Sequence, residues 1–393
     1  MIILSILNYT TIKLKNILSI TTEYNTISKL TIMDQIDKAL CNIPASIISK
    51  IGSNLHLKKY HPIEIIRHII YCYFGESYAK FDDLSPYVSV EDNFDKLLIP
   101  TNHPARSPSD TYYLNETMVL RTHTSAHQSN LLSKGYTKFL VTGDVYRKDE
   151  IDKSHYPVFH QMEGVCVVDG DDAESQLKST LAGLVQHLFP DCEYRLNNDY
   201  FPFTKPSFEI EVRYENKWLE ILGCGIVQPA IMINCGLNGK QAWAFGLGLE
   251  RLAMILFGIS DIRYFWCKDE LFLNQFTSYD IVQFKPYSKL ASLTKDISFW
   301  IDKNQIVDGN PIKWSSENDF YQLCREICND MIEKVELFDE FCHPKTGAYS
   351  RAYHIVYSCP NVITNPSEFN DIVNNIHASI GSTASVTMNL ALR

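Results

Sequence analysis

The sequence GDVYRKDEIDKSHYPVFHQMEG, from Gly143 to Gly164, contains two partly apolar runs separated by a polar segment. The first run begins further upstream as FLVTGDVY (Phe139 to Tyr146), and the second continues from Pro157 to Val168. Short runs of β-forming residues on either side of a polar segment predict a β-hairpin with a long loop. Arg147 would lie at the end of the first strand, where a guanidinium can bind phosphate or carboxylate through two hydrogen bonds.

A second block, WAFGLGLERLAMILFG (Trp243 to Gly258), helps to decide whether this hairpin is a nucleotide site or an ordinary solvated surface hairpin. It predicts a short apolar strand, two glycines and an apolar helix with Arg251 near its start. The spacing G-x-G-x-x-R lacks the third glycine of the dinucleotide fingerprint, so a Rossmann site is not favoured. Because Leu252 to Leu256 leave little exposed helix surface, we expect Arg251 to be buried and to need an anionic partner. The alternative is a charge on the exposed face of the helix.

Two separated arginines in these settings resemble the class II aminoacyl-tRNA synthetases, and the chain is similar to their single-chain, organellar phenylalanyl-tRNA synthetases. The first block resembles motif 2 of the family and the second resembles motif 3. The segment FDKLLIPTNHPARSPSDTYYL (Phe94 to Leu114) resembles the neighbourhood of motif 1. Three further segments resemble substrate-binding blocks: LRTHTSAHQ (Leu120 to Gln128), FPFTKPSFE (Phe201 to Glu209) and WLEILGCG (Trp218 to Gly225).

The resemblance implies an α+β fold with two domains, which also suits a length of 393 residues. An antiparallel sheet flanked by helices would form the class II catalytic domain over residues 34–275. A linker over 276–284 would lead to a ferredoxin-like anticodon-binding domain over 285–393. The pattern after residue 285 supports this, since it predicts strand, helix, strand, strand, helix and a closing edge strand, SVTMNLALR.

The implied activity is ATP-dependent ligation of phenylalanine to tRNA(Phe) through a phenylalanyl-adenylate. Arg147 would hold the α-phosphate and the amino acid carboxylate, and Arg251 the γ-phosphate of a bent ATP. Mg²⁺ would arrive with ATP as a substrate complex, with no resident metal and no tightly bound cofactor. Such chemistry depends on positioning and charge neutralisation rather than on a protein nucleophile. The implied partners are tRNA(Phe), ATP and L-phenylalanine, and the protein is expected to be a monomer that does not bind membranes.

The resemblance also assigns substrate-binding residues. Phe159 is expected to stack on adenine, and Gln161 and Glu163, which face the same side of one strand, to receive the substrate ammonium. Ser125 and His127 are expected to be the direct contacts of their segment, although His127 could instead be a helix-capping or core histidine. The complete predicted set is Ser125, Ala126, His127, Gln128, Arg147, Ser154, His155, Tyr156, Phe159, Gln161, Met162, Glu163, Phe201, Phe203, Glu220, Ala244, Phe245 and Arg251.

Phe201 and Phe203 are expected to project from one side of an extended segment and to meet the substrate ring edge to face. By itself, F-x-F is also a common core pattern. Ala244 corresponds to the small residue near the para position of the substrate ring. An apolar pocket rejects an added hydroxyl by only about 100-fold, so we expect detectable activation of tyrosine.

The charge of the chain does not favour nucleic-acid binding. The net charge is -10, and residues 285–393 hold ten Lys and Arg against thirteen Asp and Glu. A basic patch, the usual feature of nucleic-acid binders, is therefore not visible in the linear sequence. Charges can still gather on one face after folding, and the candidates are Lys285, Lys289, Lys295, Arg325, Lys345 and Arg351.

The first 33 residues hold three lysines against one glutamate, with many Ser and Thr and no arginine. They predict a targeting segment for the mitochondrial matrix, with the cytoplasm or another organelle as alternatives. Translation could also start at Met33. Eleven cysteines without paired spacing indicate a reducing compartment. Cys324, Cys328, Cys342 and His343 lack the C-x2-C spacing of a zinc site.

Two other functional classes fit parts of the pattern. A non-catalytic synthetase paralogue would be expected to lack a phosphate-binding arginine, whereas both arginines are present. A tRNA-independent adenylating enzyme would not need the appended C-terminal domain.

Overall fold

The computed structural model describes residues 41–170, 172–287, 290–307, 313–359 and 365–393, so the predicted targeting segment lies outside the described residues. The described strands are β1 (Ala79–Phe81), β2 (Tyr87–Ser89), β3 (Met118–Leu120), β4 (Lys138–Tyr146), β5 (Val158–Val168), β6 (Tyr194–Asp199), β7 (Thr204–Tyr214), β8 (Lys217–Val227), β9 (Gln241–Gly248), β10 (Leu293–Ile301), β11 (Ile306–Val307), β12 (Lys313–Trp314), β13 (Ile332–Cys342), β14 (Tyr349–Tyr357) and β15 (Ala391–Leu392).

The described helices are α1 (Ala45–Ile48), α2 (Pro62–Phe74), α3 (Val90–Asn93), α4 (Gln128–Ser133), α5 (Ala173–Leu188), α6 (Pro229–Asn234), α7 (Leu249–Phe257), α8 (Glu270–Leu273), α9 (Glu317–Cys328) and α10 (Pro366–Thr387). Short 3₁₀ turns cover Leu55–Leu57, Gly75–Ser77, Asp95–Leu97, Pro104–Arg106, Thr124–His127, Ile262–Trp266, Lys303–Gln305 and Asn329–Met331. No helix among the described residues has both the length and the apolar character needed to cross a lipid bilayer.

A seven-stranded sheet in the order β1-β4-β5-β9-β8-β7-β6 forms the centre of the larger unit. Its strands pair in antiparallel fashion except for β1 and β4, which are parallel. The predicted hairpin is formed by β4 and β5, where Tyr146 pairs with Val158. An antiparallel sheet with helices against it confirms the predicted α+β class.

Alternation along β5 places successive side chains on opposite faces of this sheet. Met162 and Cys166 face the core formed with α2, α5 and α7. Val165 and Val167 face the opposite core, to which α4 and α6 contribute. Phe159, Gln161 and Glu163 point to the same face of the sheet as Val165. At their end of β5, this face borders cavities instead of a packed core.

A second, four-stranded sheet in the order β13-β14-β10-β15 forms the C-terminal unit. Its elements follow each other as β-α-β-β-α-β, the ferredoxin-like sequence of elements. Helices α9 and α10 cover one face, where Phe299, Phe320, Val373 and Ile380 pack together. The final strand is shorter than predicted, because residues 385–387 extend α10 and only Ala391–Leu392 pair with β10.

The β4–β5 loop, residues 147–157, packs directly against the C-terminal unit. Ile151 belongs to that unit's core, and the Val335 amide donates to the Ile151 carbonyl at 3.0 Å. Arg325 donates to the carbonyls of Asp149 and Glu150. Arg325 is therefore buried rather than available to RNA.

One further candidate for a basic surface also fails. Arg351 is 3 % exposed and pairs with Glu317 and Glu340, because it lies in the interior of the C-terminal sheet. Lys289 lies outside the described residues. Of the remaining candidates, Lys285 and Lys345 are exposed and Lys295 is partly buried.

Candidate active site

Two adjoining cavities open on the face of the large sheet that carries Phe159, Gln161 and Glu163. The aromatic cavity has a volume of about 570 Å³, and the polar cavity has a volume of about 260 Å³. They share a wall made of Arg147, Asp149, Gln161, Glu220 and Gly246. A ligand in one cavity would therefore contact a ligand in the other.

The aromatic cavity is lined by Phe201, Phe203 and Ala244. The two phenylalanine rings are nearly parallel, with centroids 5.8 Å apart and planes 13° apart. A Cβ at Gly223 would lie 2.8 Å from Cζ of Phe201, so the ring needs a glycine beneath it. The expected extended conformation is wrong, because residues 202–203 form a turn, and it is this turn that brings both rings to the cavity.

Buried polar atoms at the aromatic cavity have no partner within the described structure. Glu163 is 2 % exposed, and its Oε2 lacks a hydrogen-bond partner there. Burial raises the pKa of Glu163 to about 8, against a smaller opposing effect of a hydrogen bond from Ser125. Because a buried polar group without a partner is costly, this arrangement indicates a polar ligand group at Glu163.

His123, which the sequence interpretation missed, lines the same cavity. Neither of its ring nitrogens has a hydrogen-bond partner among the residues that the structure describes. Burial, together with the nearby Arg147 charge, lowers the pKa of His123 to about 3, so the ring is neutral. The available signal was its position two residues before Ser125 in the block already singled out.

Arg147 lies directly after β4 and contacts both cavities. Its Nε donates to the Thr122 carbonyl at 2.8 Å, and its guanidinium lies 5.2 Å from the centroid of the Phe159 ring. Burial lowers the pKa of Arg147 from its ordinary value. A desolvated guanidinium at a shared wall is suited to an anion that spans the two cavities. Asp149, which the prediction also missed, follows two residues later on this wall.

Arg251 lies at the edge of the polar cavity, and the expectation that it is buried is wrong. Its side chain is 49 % exposed, because the core side of the short helix α7 is occupied by Leu252, Ala253 and Ile255. The expected anionic partner does exist. Arg251 Nη1 donates to the carbonyl of Glu220 at 3.0 Å and to its Oε2 at 3.3 Å.

Other predicted residues also line the polar cavity, namely Ser154, His155, Tyr156 and Phe159. His155 Nδ1 lies 2.8 Å from Oδ2 of Asp152, and this hydrogen bond raises the pKa of His155. The Tyr156 hydroxyl donates to Asp330 of the C-terminal unit at 2.8 Å. The polar cavity is therefore bounded by a loop that the C-terminal unit holds in place.

Four predicted residues do not line either cavity: Ala126, His127, Gln128 and Met162. His127 Nε2 accepts a hydrogen bond from Arg121 at 2.9 Å, and burial lowers its pKa to about 3, so the core interpretation of this histidine is the better one. Met162 points into the opposite core by strand alternation. Ala126 and Gln128 are at most 2 % exposed.

Phe245 contributes to the aromatic cavity wall, but its ring points away from the expected position. The ring stacks on Phe74 with centroids 5.4 Å apart, inside the core on the opposite face of the sheet. Gly164 makes room for it, because a Cβ there would lie 2.2 Å from Cε1 of Phe245. A direct contact between this ring and a substrate is therefore not supported.

One group of side chains in the β4–β5 loop could hold a metal ion by distance alone. Ligand atoms of Asp149, Glu150 and His155 lie within 4.8 Å of one another. His155 Nδ1 is already bonded to Asp152, and Glu150 is exposed. The group therefore gives no evidence for a resident metal.

Taken together, the aromatic cavity can receive an apolar aromatic group and an ammonium, and the polar cavity can receive a base and phosphates. Arg147 stands where a carboxylate and a phosphate would meet. This arrangement fits the activation of an aromatic amino acid by a nucleotide.

Comparison with known proteins supports this chemistry. Residues 48–276 match the family model described as tRNA synthetases class II core domain (F). The phenylalanine–tRNA ligase, chloroplastic/mitochondrial, of Arabidopsis thaliana is 46 % identical, over 88 % of this chain and 82 % of its own length. The mitochondrial phenylalanine–tRNA ligase of Mus musculus is 41 % identical, over 87 % and 84 %. That of Saccharomyces cerevisiae is 36 % identical, over 82 % and 86 %.

Proposed function

The chain belongs to the class II aminoacyl-tRNA synthetases, among the organellar phenylalanine–tRNA ligases, and from this premise we propose that its two joined cavities bind phenylalanine and ATP side by side. The enzyme attaches phenylalanine to tRNA(Phe) for mitochondrial translation. The observation that carries the assignment of the cavities is their common wall, on which Arg147 lies. Both cavities are built from one chain, so the enzyme is proposed to act as a monomer.

Phenylalanine would enter with its ring against Phe201, Phe203 and Ala244. Its ammonium would lie at Glu163 and Gln161, where a buried oxygen lacks a partner within the described structure. This orientation directs the carboxylate toward Arg147 and the shared wall.

ATP would occupy the polar cavity with its adenine against Phe159 and its phosphates between Arg147 and Arg251. Mg²⁺ would enter with ATP and neutralise phosphate charge. Glu220 and Asp149, the carboxylates on the shared wall, are the oxygen donors that suit such a hard cation.

Two displacement steps complete the reaction. A carboxylate oxygen of phenylalanine attacks the α-phosphorus, and the bond to pyrophosphate breaks. A ribose hydroxyl at the 3′ end of tRNA then attacks the carbonyl carbon of the adenylate, and AMP leaves. The arginines contribute by holding the reacting groups together and by stabilising negative charge, so no protein nucleophile is required.

The test is phenylalanine-dependent exchange of pyrophosphate into ATP, followed by charging of tRNA(Phe). We expect Arg251→Ala to lower the exchange rate at limiting ATP by about 10-fold to 100-fold, the value of a charged hydrogen bond. Arg213→Ala is a matched control, because Arg213 is also 49 % exposed and pairs with one glutamate, Glu193, but lines neither cavity. Equal effects of the two substitutions would refute the assignment of Arg251.

The outcome also separates the other functional classes. Absence of exchange with the wild-type enzyme would favour a non-catalytic paralogue. Exchange without charging of tRNA(Phe) would favour a tRNA-independent adenylating enzyme.

We further propose that the C-terminal unit binds the anticodon through the face of its sheet that α9 and α10 leave open. Trp300, Ser350 and Phe341 form one row across three strands on this face. Arg393 lies over the row, 5.6 Å from the centroid of the Trp300 ring and 4.9 Å from that of Phe341. Aromatic rings and arginine on an open β-sheet are the features on which unpaired RNA bases stack.

This assignment is tested by Trp300→Ala in the full-length enzyme. The KM for tRNA(Phe) should rise about tenfold or more in charging, because base stacking contributes about 1 to 3 kcal/mol. Pyrophosphate exchange should be unchanged. Tyr194→Ala, which removes an exposed aromatic ring from the catalytic sheet, is the control. An unchanged KM for tRNA would refute the proposed RNA face.

A further inference from the structure

A buried pair joins the strand of the adenine-binding residue to the helix of Arg251. The Glu250 carboxylate accepts two hydrogen bonds from His160, one from its backbone N–H at 2.7 Å and one from ring Nδ1 at 2.7 Å. The side chains are 0 % and 3 % exposed. Since the carboxylate only accepts, Nδ1 carries the proton.

His160 connects the buried pair to the wall of the polar cavity. His160 lies between Phe159 and Gln161 on β5, and both neighbours line the polar cavity. Its own ring points to the opposite side of the sheet, where it stacks on Trp266 with centroids 5.8 Å apart. Glu250 is the residue directly before Arg251 in the first turn of α7. The pair therefore links the backbone that carries Phe159 and Gln161 to the backbone that carries Arg251.

The side chain of Arg251 itself is held by weak contacts. Its side chain is half exposed, and its described hydrogen bonds go to Glu220, at 3.0 and 3.3 Å. Such an exposed contact is weak and readily exchanged for water. The first turn of α7 also receives no side-chain cap from Gly248. Pairing of Gly248 with Gln161 joins the end of β9 to β5, and the clasp formed by His160 and Glu250 adds a buried side-chain link from β5 to the first turn of α7.

We propose that His160 and Glu250 are positioning residues for ATP, which hold Arg251 at the correct distance from Phe159. This inference rests on the proposed binding of ATP in the polar cavity. Neither residue touches the reacting atoms in the proposal. The pair acts through the placement of Arg251. Gln161 is held independently by its strand pairings with Gly143 and Gly248, so phenylalanine binding in the aromatic cavity does not depend on the pair.

The two amide substitutions of His160 test the proposal in the full-length enzyme. The amide nitrogen of asparagine, like Nδ1, is attached to Cγ and can donate to Glu250. The amide nitrogen of glutamine instead corresponds to Nε2, which is buried without a partner among the described residues. We expect His160→Gln to raise the KM for ATP in pyrophosphate exchange by about tenfold or more, and His160→Asn to stay within about threefold of wild type.

A merely structural role would not produce this pattern. The KM for phenylalanine should stay within about twofold in both variants, and rates are normalised to the folded fraction from thermal melting. If the glutamine variant does not fold, His160→Ser, which lacks a donor at either ring position, takes its place. The proposal would be overturned if the asparagine variant had the same KM for ATP as the glutamine variant, or as the serine variant that replaces it.

Coupling to Arg251 provides the second readout. In an Arg251→Ala background, replacement of His160 by glutamine should change the KM for ATP by less than about twofold, since the residue on which the clasp acts is absent. Fully additive effects would contradict the proposal. Wild-type exchange serves as the reference: its absence would refute the proposed function, whereas normal wild-type exchange with additive effects would refute the clasp alone.

Discussion

The affinity of the free enzyme for phenylalanine should depend on pH through Glu163. Burial raises the pKa of this carboxyl to about 8, so most molecules of the free enzyme carry it protonated at pH 7. An ammonium placed beside it favours the ionised form and lowers its pKa. Binding of phenylalanine should therefore release a proton, and the affinity should rise with pH.

The magnitude follows from the fraction of enzyme that is ionised before binding. Between pH 6 and pH 7.5, a group with a pKa of about 8 increases its ionised fraction about 25-fold, and the affinity should follow. At pH 7, binding should release about 0.9 proton for each phenylalanine bound. The α-ammonium of phenylalanine stays protonated across this range, and His123, whose pKa is about 3, does not titrate.

Isothermal titration calorimetry without ATP measures both quantities, when it is repeated in buffers with different ionisation enthalpies. Omitting ATP keeps His155, which lines the polar cavity, out of the measurement. Glu163→Gln is the control, because it keeps the shape of the side chain and cannot ionise. A flat affinity profile for the wild-type enzyme, or the same slope in Glu163→Gln, would refute the role given to Glu163.

The raised pKa of Glu163 also determines whether the stability of the free enzyme rises or falls with pH. The carboxyl of the unfolded chain ionises near its ordinary value of 4.5, whereas the buried group stays protonated up to about pH 8. The unfolded state therefore binds fewer protons between these values, and the free enzyme should lose stability as pH rises through this window. Saturating phenylalanine should reduce that loss in thermal melts, and an equal loss with and without phenylalanine would contradict the assignment.

Three further predictions concern the aromatic cavity and its support. Ala244→Gly should admit para-substituted phenylalanines in pyrophosphate exchange, and an unchanged substrate range would show that Ala244 does not form this wall. Tyrosine should support measurable exchange because an apolar pocket rejects a hydroxyl by only about 100-fold, and a rate below about one in ten thousand of the phenylalanine rate would contradict this. Gly164→Ala should destabilise the fold by about 1 to 3 kcal/mol, since the new Cβ would meet the Phe245 ring, and an unchanged melting temperature would show that the ring can move at little cost.

The sequence was sufficient to predict the hairpin and its polar residues. Alternation over β5 is enough to place Gln161 and Glu163 on one face, because the period of a strand leaves no other choice. The same rule turns the side chain of Met162 into the core on the opposite face, as the structure shows.

The two histidines of the block Leu120 to Gln128 show what the sequence could not supply. A 3₁₀ turn over Thr124–His127 leaves His123 at the cavity and turns His127 toward Arg121. Arg121 is held by Asp144, 23 residues further along the chain, through an ion pair of 2.9 Å. Such a distant partner cannot be identified from local pattern, so the role of His127 could not be decided before the structure.

The sequence also could not predict the exposure of individual side chains or the contacts between the catalytic and C-terminal units. The apolar run after Arg251 describes only the core side of α7, whereas the arginine lies on the other side. Arg325 resembles a surface cation in sequence, yet its guanidinium donates hydrogen bonds to carbonyl groups of the β4–β5 loop. Both errors arise because burial depends on elements that are far apart in the chain.

The most direct test of the central claim is ATP–pyrophosphate exchange with the full-length enzyme and each of the twenty amino acids in turn. Phenylalanine should support the fastest exchange, and tyrosine should be the only other aromatic amino acid with a measurable rate. Absence of exchange with phenylalanine, or faster exchange with any other amino acid, would contradict the assignment of the aromatic and polar cavities.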